Sequence, residues 1–455
     1  MWDGADPGDG PAATGSEAAP VLAERVLGRL TAQRLQVELA VTRDVWLSQH
    51  QGAAIRGAFF GVLRDRFCVR RDLPSCQPCT LHAICPISAL VATVDDASTR
   101  GLDVPRPFTL EPPVGRQRTH YAAGETYRFG LTLFGRGLQL LPYVVVGLQD
   151  LGAEGIGRPG AGGAGSEGRL RLLARGTDDE PADRGAGDKG SVGRLRLARV
   201  EAWNPITRQR QPVYAAPSSL RSAGRHGAAA GSSVAGFASS NDPSRDGRGD
   251  NSQSQSPQDD GPTPGRVGNG YRDNGSGPGR GDDGRGAGGG MVRLPAIPVT
   301  HRDVLARAER WRGRDRITLR LLTPLRLVAH HQPVRRLSFE LLLRRLADRL
   351  ELLARHYAPP DHGPPPALGP EGVAALGALA GAVQVVDDRT RWAEVFSHSA
   401  RQGRTMPVSG LVGEITFGAE PARLALFLPW LVWGELAHAG KDATKGNGWY
   451  VLLER

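Results

Sequence analysis

The sequence predicts an α+β protein made of two ferredoxin-like halves in tandem, separated by a long disordered insert. Three observations carry this. Leu35, Val37, Leu39 and Val41 alternate with polar or small residues, which is the period of a half-buried strand. Strand patterns are interleaved with helical ones rather than grouped apart, in an order β-α-…-β-α-loop-β that suits a ferredoxin-like unit. The same order recurs after residues 218–290, a stretch whose composition cannot build a core.

The elements follow in order. After the strand around Leu35–Val41, Gln51–Phe67 reads as a helix with an apolar face of Ile55, Phe59, Phe60 and Leu63. A cysteine-rich loop comes next. Phe108–Glu111 and Thr126–Phe134 read as strands, and Leu138–Leu151 as an apolar helix. Leu170–Leu173 and Leu195–Ala202 read as strands around an irregular, glycine-rich loop. In the second half, Ile317–Val328 is a strand interrupted at Pro324, a residue that cannot donate to a ladder and marks an edge or a bulge. Leu337–Tyr357 is a strongly amphipathic helix, Gly410–Phe417 a strand and Pro421–His438 an apolar helix. Gly440–Gly448 is a glycine-rich turn, and Trp449–Leu453 a closing strand.

Composition sets the domain limits. The 455 residues are 40% hydrophobic, enough for real cores. Residues 218–290 hold 19 glycines and only Leu220, Val234, Phe237, Val267 and Tyr271 as large apolar side chains, so burial cannot offset the entropy of ordering them. The expected organisation is a disordered tail over 1–20, an N-terminal half over 21–217 and a disordered Gly/Ser/Asp/Arg linker over 218–290. A C-terminal half over 291–455 completes it. The linker carries eight Arg and eight Asp, so the whole formal charge of +10 lies outside it and favours a polyanionic partner. No apolar run reaches about 18 residues, the length needed to span a bilayer. The start Met1-Trp2-Asp3-Gly4 lacks a basic and apolar leader. The expectation is a cytoplasmic protein with no membrane partner.

Two clusters carry candidate chemistry. Cys68, Cys76, Cys79 and Cys85 are the only cysteines, spaced C-x7-C-x2-C-x5-C. Four thiolates complete a tetrahedral set, and a metal is favoured over disulfides in a cytosolic protein. Structural zinc and an iron–sulfur cluster both suit the spacing, with unmetallated thiols as the third alternative; Cys85-Pro86 resembles a cluster ligand. The expected role is to staple a loop, not to catalyse. The second cluster is His438 to Tyr450, HAGKDATKGNGWY. Only three of the 57 basic residues are lysines, and Lys441 and Lys445 both fall here. Gly440, Gly446 and Gly448 let backbone approach a ligand, and amides and ammonium groups can hold phosphates. The alternative is a plain turn before an edge strand.

This loop resembles the C-terminal glycine-rich loop of the CRISPR-associated endoribonucleases that process precursor CRISPR RNA, members of the RAMP superfamily. Gly52-Ala53-Ala54-Ile55-Arg56-Gly57, Pro105-Arg106-Pro107-Phe108 and Phe129–Gly135 are similar to the same family. So are Leu322–Leu327, Ser399–Gln402 and Gly410–Glu414. The resemblance implies two ferredoxin-like (RRM-like) domains and a loop that contacts RNA through Gly440, Lys441, Lys445, Gly446 and Gly448. It implies cleavage within CRISPR repeats by attack of a ribose 2′-hydroxyl on the adjacent phosphate, with no cofactor for catalysis. Repeat RNA is the implied partner, with other CRISPR effector subunits beside it. Asp442 stands where the family has glycine, and Lys445 where it has an apolar or small residue. The reaction needs a base and an acid, roles that histidine fills near neutral pH. His50, before the first helix, and His438, beside the loop, stand closest to the family's histidines and are the candidate catalytic residues. His330, His331 and His398 read as solvated surface. A RAMP-fold subunit that holds guide RNA without cutting it fits the same features.

Overall fold

The structure is a computed structural model describing residues 21, 23–73, 76, 78–92, 104–115, 119–154, 193–217, 292–359, 368–399 and 404–454. The expected tail over 1–20, the expected strand Leu170–Leu173 and the linker over 218–290 lie outside the described residues. The chain divides into two units, residues 1–225 with 289–455, and residues 226–288; the description below is of the first.

The N-terminal half follows the ferredoxin-like order. Its elements are β1 (Thr31–Arg43), α1 (Gln51–Phe67), β2 (Phe108–Glu111), β3 (Thr126–Phe134), α2 (Leu141–Glu154), β4 (Arg194–Trp203) and an added β5 (Arg210–Ala215). The sheet order is β2-β3-β1-β4-β5, with antiparallel neighbours throughout. Leu35, Val37, Leu39 and Val41 all point to one face and are at most 2% exposed, as period-two alternation requires. They pack with Ile55, Phe59 and Leu63 of α1 and Val144, Val145 and Leu148 of α2.

The C-terminal half repeats the order. A two-residue strand β6 (Val299–Thr300) and helix α3 (His301–Ala308) precede β7 (Arg316–Leu325), α4 (Phe339–Tyr357), β8 (Gln384–Asp388), β9 (Gly410–Gly418), α5 (Leu428–Ala437) and β10 (Tyr450–Leu453). The sheet order β8-β9-β7-β10 matches the first. Helix α4 buries Leu342, Leu343, Leu346, Leu350 and Leu353 on one stripe and starts at Ser338, whose hydroxyl accepts from the Leu341 amide. Pro324 sits in central β7, where the ladder with β9 slips between Leu411 and Gly413. The interruption is therefore a bulge, and it frees the Pro324 carbonyl to accept from the Gly448 amide.

One expectation is corrected in detail. The helix expected over Pro421–His438 is two helices, Pro421–Ala425 and α5, with Phe427 as the cap and Pro429 in the first turn of the second. A proline lacks the amide that a continuing helix would use, but is accommodated in a first turn. Strand β6 lies beyond the linker yet pairs with Thr31 and Ala32 at the start of β1. In the opposite sense, Val26, Leu27 and Leu30, just before β1, are buried in the core of the C-terminal half.

Candidate functional site

The glycine-rich loop closes on itself and against the N-terminal half. Gly440, Gly446 and Gly448 have φ of +77°, +86° and +70°, a region that favours glycine. Asp442, where a glycine was expected, adopts φ 65°, ψ 26°, and Asp is among the few side chains that tolerate this. A Cβ on Gly446 would meet the Pro112 ring, and one on Gly448 the Ala439 carbonyl. The amides of Lys441, Lys445, Gly446, Asn447 and Gly448 donate to Arg326, Asp442, Ala443, Asp442 and Pro324 carbonyls. Five amides that could have faced phosphates are thus spent inside the protein. What the loop turns outward is side chain. Lys441 is exposed, whereas the Lys445 ammonium lies 2.8 Å from Asp442 Oδ1.

Helix α1 brings His50 to this loop. Gly52, in its first turn, abuts Lys445 so closely that a Cβ would collide with the Lys445 carbonyl. His50, capping the helix, places Nε2 2.7 Å from Asn447 Oδ1, joining residues 397 apart in sequence. Asn447 Nδ2 donates to the Val408 carbonyl at 3.1 Å, which sets the amide so that its oxygen faces the imidazole. His50 Nε2 therefore carries the hydrogen, and Nδ1 is the basic nitrogen. Among the described residues Nδ1 has no hydrogen-bond partner, and the residue is only 7% exposed. Burial pushes the imidazole pKa below its usual value; the Asn447 bond and Asp442 oppose this, and Lys445 adds to it. His50 is held neutral near pH 7. Behind it, Gln51 Oε1 accepts from Tyr127 at 3.0 Å.

His438 sits apart. It is fully buried, and its ring stacks with Trp449 at 6.0 Å. Burial, then the nearby Arg349 guanidinium, hold its pKa well below the usual range. Arg349 is half-buried, donates to the Ala437 carbonyl at 2.6 Å and has its pKa pushed down to about 10 by desolvation. In this arrangement His438 presents no atom to a ligand. His330 and His331 are exposed at the turn of a two-residue hairpin. Asn447 was visible in the sequence only as a polar residue between two glycines, which did not single it out.

The cysteines lie elsewhere, beyond the far end of α1. All four are free and partly buried. Burial, and then the thiols of Cys85, Cys68 and Cys79, push the Cys76 thiol up. Among the described residues no three His, Cys, Asp or Glu side chains converge as metal ligands, and no helix is long and apolar enough to cross a membrane.

With this geometry in view, residues 319–450 match the family model of the CRISPR-associated endoribonuclease Cas6. The C-terminal half lies mostly within that match. It contains β7, β9, α5 and the whole glycine-rich loop. Residues 30–224 match a second model, the AF_1859 N-terminal domain, so both halves are accounted for. No curated protein matches the chain. Among solved structures, a Cas6 product complex is similar at 14% identity and TM-score 0.43, covering 93% of this chain and 99% of that one. Thermus thermophilus Cas6 is similar at 14% identity and TM-score 0.41, with the same coverage. A partial Cas6-RT-Cas1–Cas2 complex is similar at 12% identity and TM-score 0.43, covering 94% of this chain and 47% of that one. These likenesses are distant ones.

Proposed function

We propose that the protein is an endoribonuclease that cuts precursor CRISPR RNA within its repeats, by metal-independent attack of a ribose 2′-hydroxyl on the adjacent phosphate. The observation that carries this reading is the hydrogen bond tying His50 to Asn447 inside the glycine-rich loop. The Cas6 family match of that loop supports it. In the reaction, His50 Nδ1 takes the 2′-hydroxyl proton, the 2′-oxygen bonds to phosphorus and the bond to the 5′-oxygen breaks. The 5′-oxygen leaves with a proton from water, and the Lys441 ammonium offsets charge on the phosphorane. Because Nδ1 is enclosed, RNA binding has to shift the Asn447 segment or turn the ring.

The test is incubation of labelled repeat RNA in EDTA. Cleavage leaving a 2′,3′-cyclic phosphate is expected, and a 2′-deoxy residue at the cut site should abolish it. His50→Ala should slow single-turnover cleavage by about 10²-fold or more, a usual scale for a general acid or base. Enclosure of both histidines favours a second reading, a RAMP-fold subunit that holds guide RNA among other CRISPR effector subunits without cutting it. Tight binding of the repeat with no product under any condition would decide for that reading.

A further inference from the structure

We propose that Cys68, Cys76, Cys79 and Cys85 form a tetrathiolate site for one zinc ion, which closes the segment between α1 and the short helix Pro86–Val91. The proposal is independent of the RNA chemistry. The four cysteines occupy the anchor points of this segment. Cys68 caps the C-terminus of α1, its amide donating to the Arg64 carbonyl. Cys85 caps the N-terminus of Pro86–Val91. Cys76 and Cys79 bracket a tight turn, with the Cys79 amide donating to the Cys76 carbonyl at 3.1 Å. His82 secures the turn through Nδ1 on the Cys79 carbonyl at 2.9 Å. Arg64, in the last turn of α1, folds the chain back between Cys68 and Cys76 by donating to the Arg71 carbonyl at 3.1 Å and the Leu73 carbonyl at 2.7 Å.

Little apolar burial holds the described residues of the segment, where Leu73 is half-buried and Cys85 packs on the N-terminal core. Val69 and Ile84 are 78% and 82% exposed, and Leu81 is 38% exposed. A chain that turns its aliphatic side chains outward and keeps its thiols partly buried lacks the burial that normally offsets ordering entropy. Beyond the arginine-to-carbonyl hydrogen bonds of Arg64 and Arg71, a metal is the fixing element left to the segment, since its four thiols are free. The charge also balances. Four thiols release four protons to bind Zn²⁺, leaving two net negative charges. Arg64, Arg66, Arg70 and Arg71 flank Cys68 in the chain and supply positive charge to the same segment. Zinc fits better than an iron–sulfur cluster, because exposed Val69 and Ile84 build no apolar shield around the thiols. Since no three ligands yet converge among the described residues, the ion has to draw the thiols together, which makes the proposal testable as a tightening.

The experiment uses the full chain, purified anaerobically without metal affinity resin. Elemental analysis should find about one zinc per chain, as a closed four-ligand site requires. After chelation, Co²⁺ should restore a thiolate-to-cobalt charge-transfer band at one equivalent, displaced by Zn²⁺. Cys76→Ser should lose the band. Because that variant can misfold, tryptic cleavage at Arg70 and Arg71 is followed in the wild-type chain. It should slow by about tenfold or more when Zn²⁺ is added to the chelated protein, as binding to the closed form dictates. No cobalt band in wild type, unchanged cleavage, or iron with acid-labile sulfide in place of zinc would each overturn the assignment.

Discussion

His438 combines two properties that seldom coexist in one residue: no exposure, and backbone angles of φ 60° and ψ 159°. That region is close to glycine-only and costs of order 1–3 kcal/mol. Its protonation is also opposed by burial, so the unfolded chain binds a proton that the folded one refuses. Stability from this group is therefore complete above the unfolded value of 6.5 and falls as pH drops below it. One such histidine contributes a slope of about 1.4 kcal/mol per pH unit. His438→Gly should remove that much of the slope between pH 5 and 6.5, read from denaturant unfolding at several pH values. The wild-type slope persisting in the variant would place the acid sensitivity elsewhere, with His50 and His301, whose pKa values are also lowered by burial. The two loop lysines should likewise separate. Lys441→Ala should weaken repeat-RNA binding and reduce its salt slope by about 0.7 to 0.9. Lys445→Ala should do less, because Asp442 already matches its charge. Equal effects, measured by filter binding over a salt series, would mean that the Asp442 pair opens on the RNA.

At the scale of elements, the contact between α1 and the glycine-rich loop sets two effects against each other. Alanine is favoured over glycine inside a helix by about 1 kcal/mol, so Gly52→Ala should stabilise an isolated α1. In the folded chain the new methyl would run into the Lys445 carbonyl, and overpacking of this kind costs about 1–3 kcal/mol. The steric term should win. Gly52→Ala is expected to lower the unfolding midpoint and to disturb the His50–Asn447 bond together with it. A raised midpoint would show that α1 and the loop are not in contact in solution. The loop is thus better described as a packed element than as a hinge: its glycines are needed for close approach to protein, at Pro112 and Ala439.

The whole molecule is laced by an exchange between halves. Val26, Leu27 and Leu30 precede β1 yet are at most 2% exposed in the C-terminal core, while Val299 joins the edge of β1. Each such aliphatic side chain is worth about 1.5–3 kcal/mol of burial. Removing residues 1–30 should therefore destabilise the C-terminal half, seen as a lower melting temperature or insolubility. Excision of 218–290 should leave melting temperature and RNA affinity nearly unchanged, since that composition contributes no core and no net charge. An N-terminal truncation that melts like the full chain would show that the exchange adds nothing.

Much of this was readable from residue order alone, because strand and helix periods are local properties. The alternation at Leu35–Val41, the amphipathic stripe of α4, the positive-φ glycines before β10 and the four-cysteine spacing all lie within short windows. Strand β8 was missed: Gln384, Val385, Val386 and Asp388 are exposed, so an edge strand there shows no alternation to read. Positions of chemical groups were legible only in part. His50 could be named from its place before α1, but its partner 397 residues away could not, because side-chain pairing across the two sheets is set by packing and has no period. The same holds for burial of His438, which sequence position made a neighbour of the loop and tertiary structure enclosed. The sequence by itself determined two α+β halves, a glycine-rich turn and a thiol cluster. Only the tertiary structure decided that α1 seals the turn, that Asn447 rather than His438 meets His50, and that each half completes the other's core, since these depend on contacts closed between distant segments.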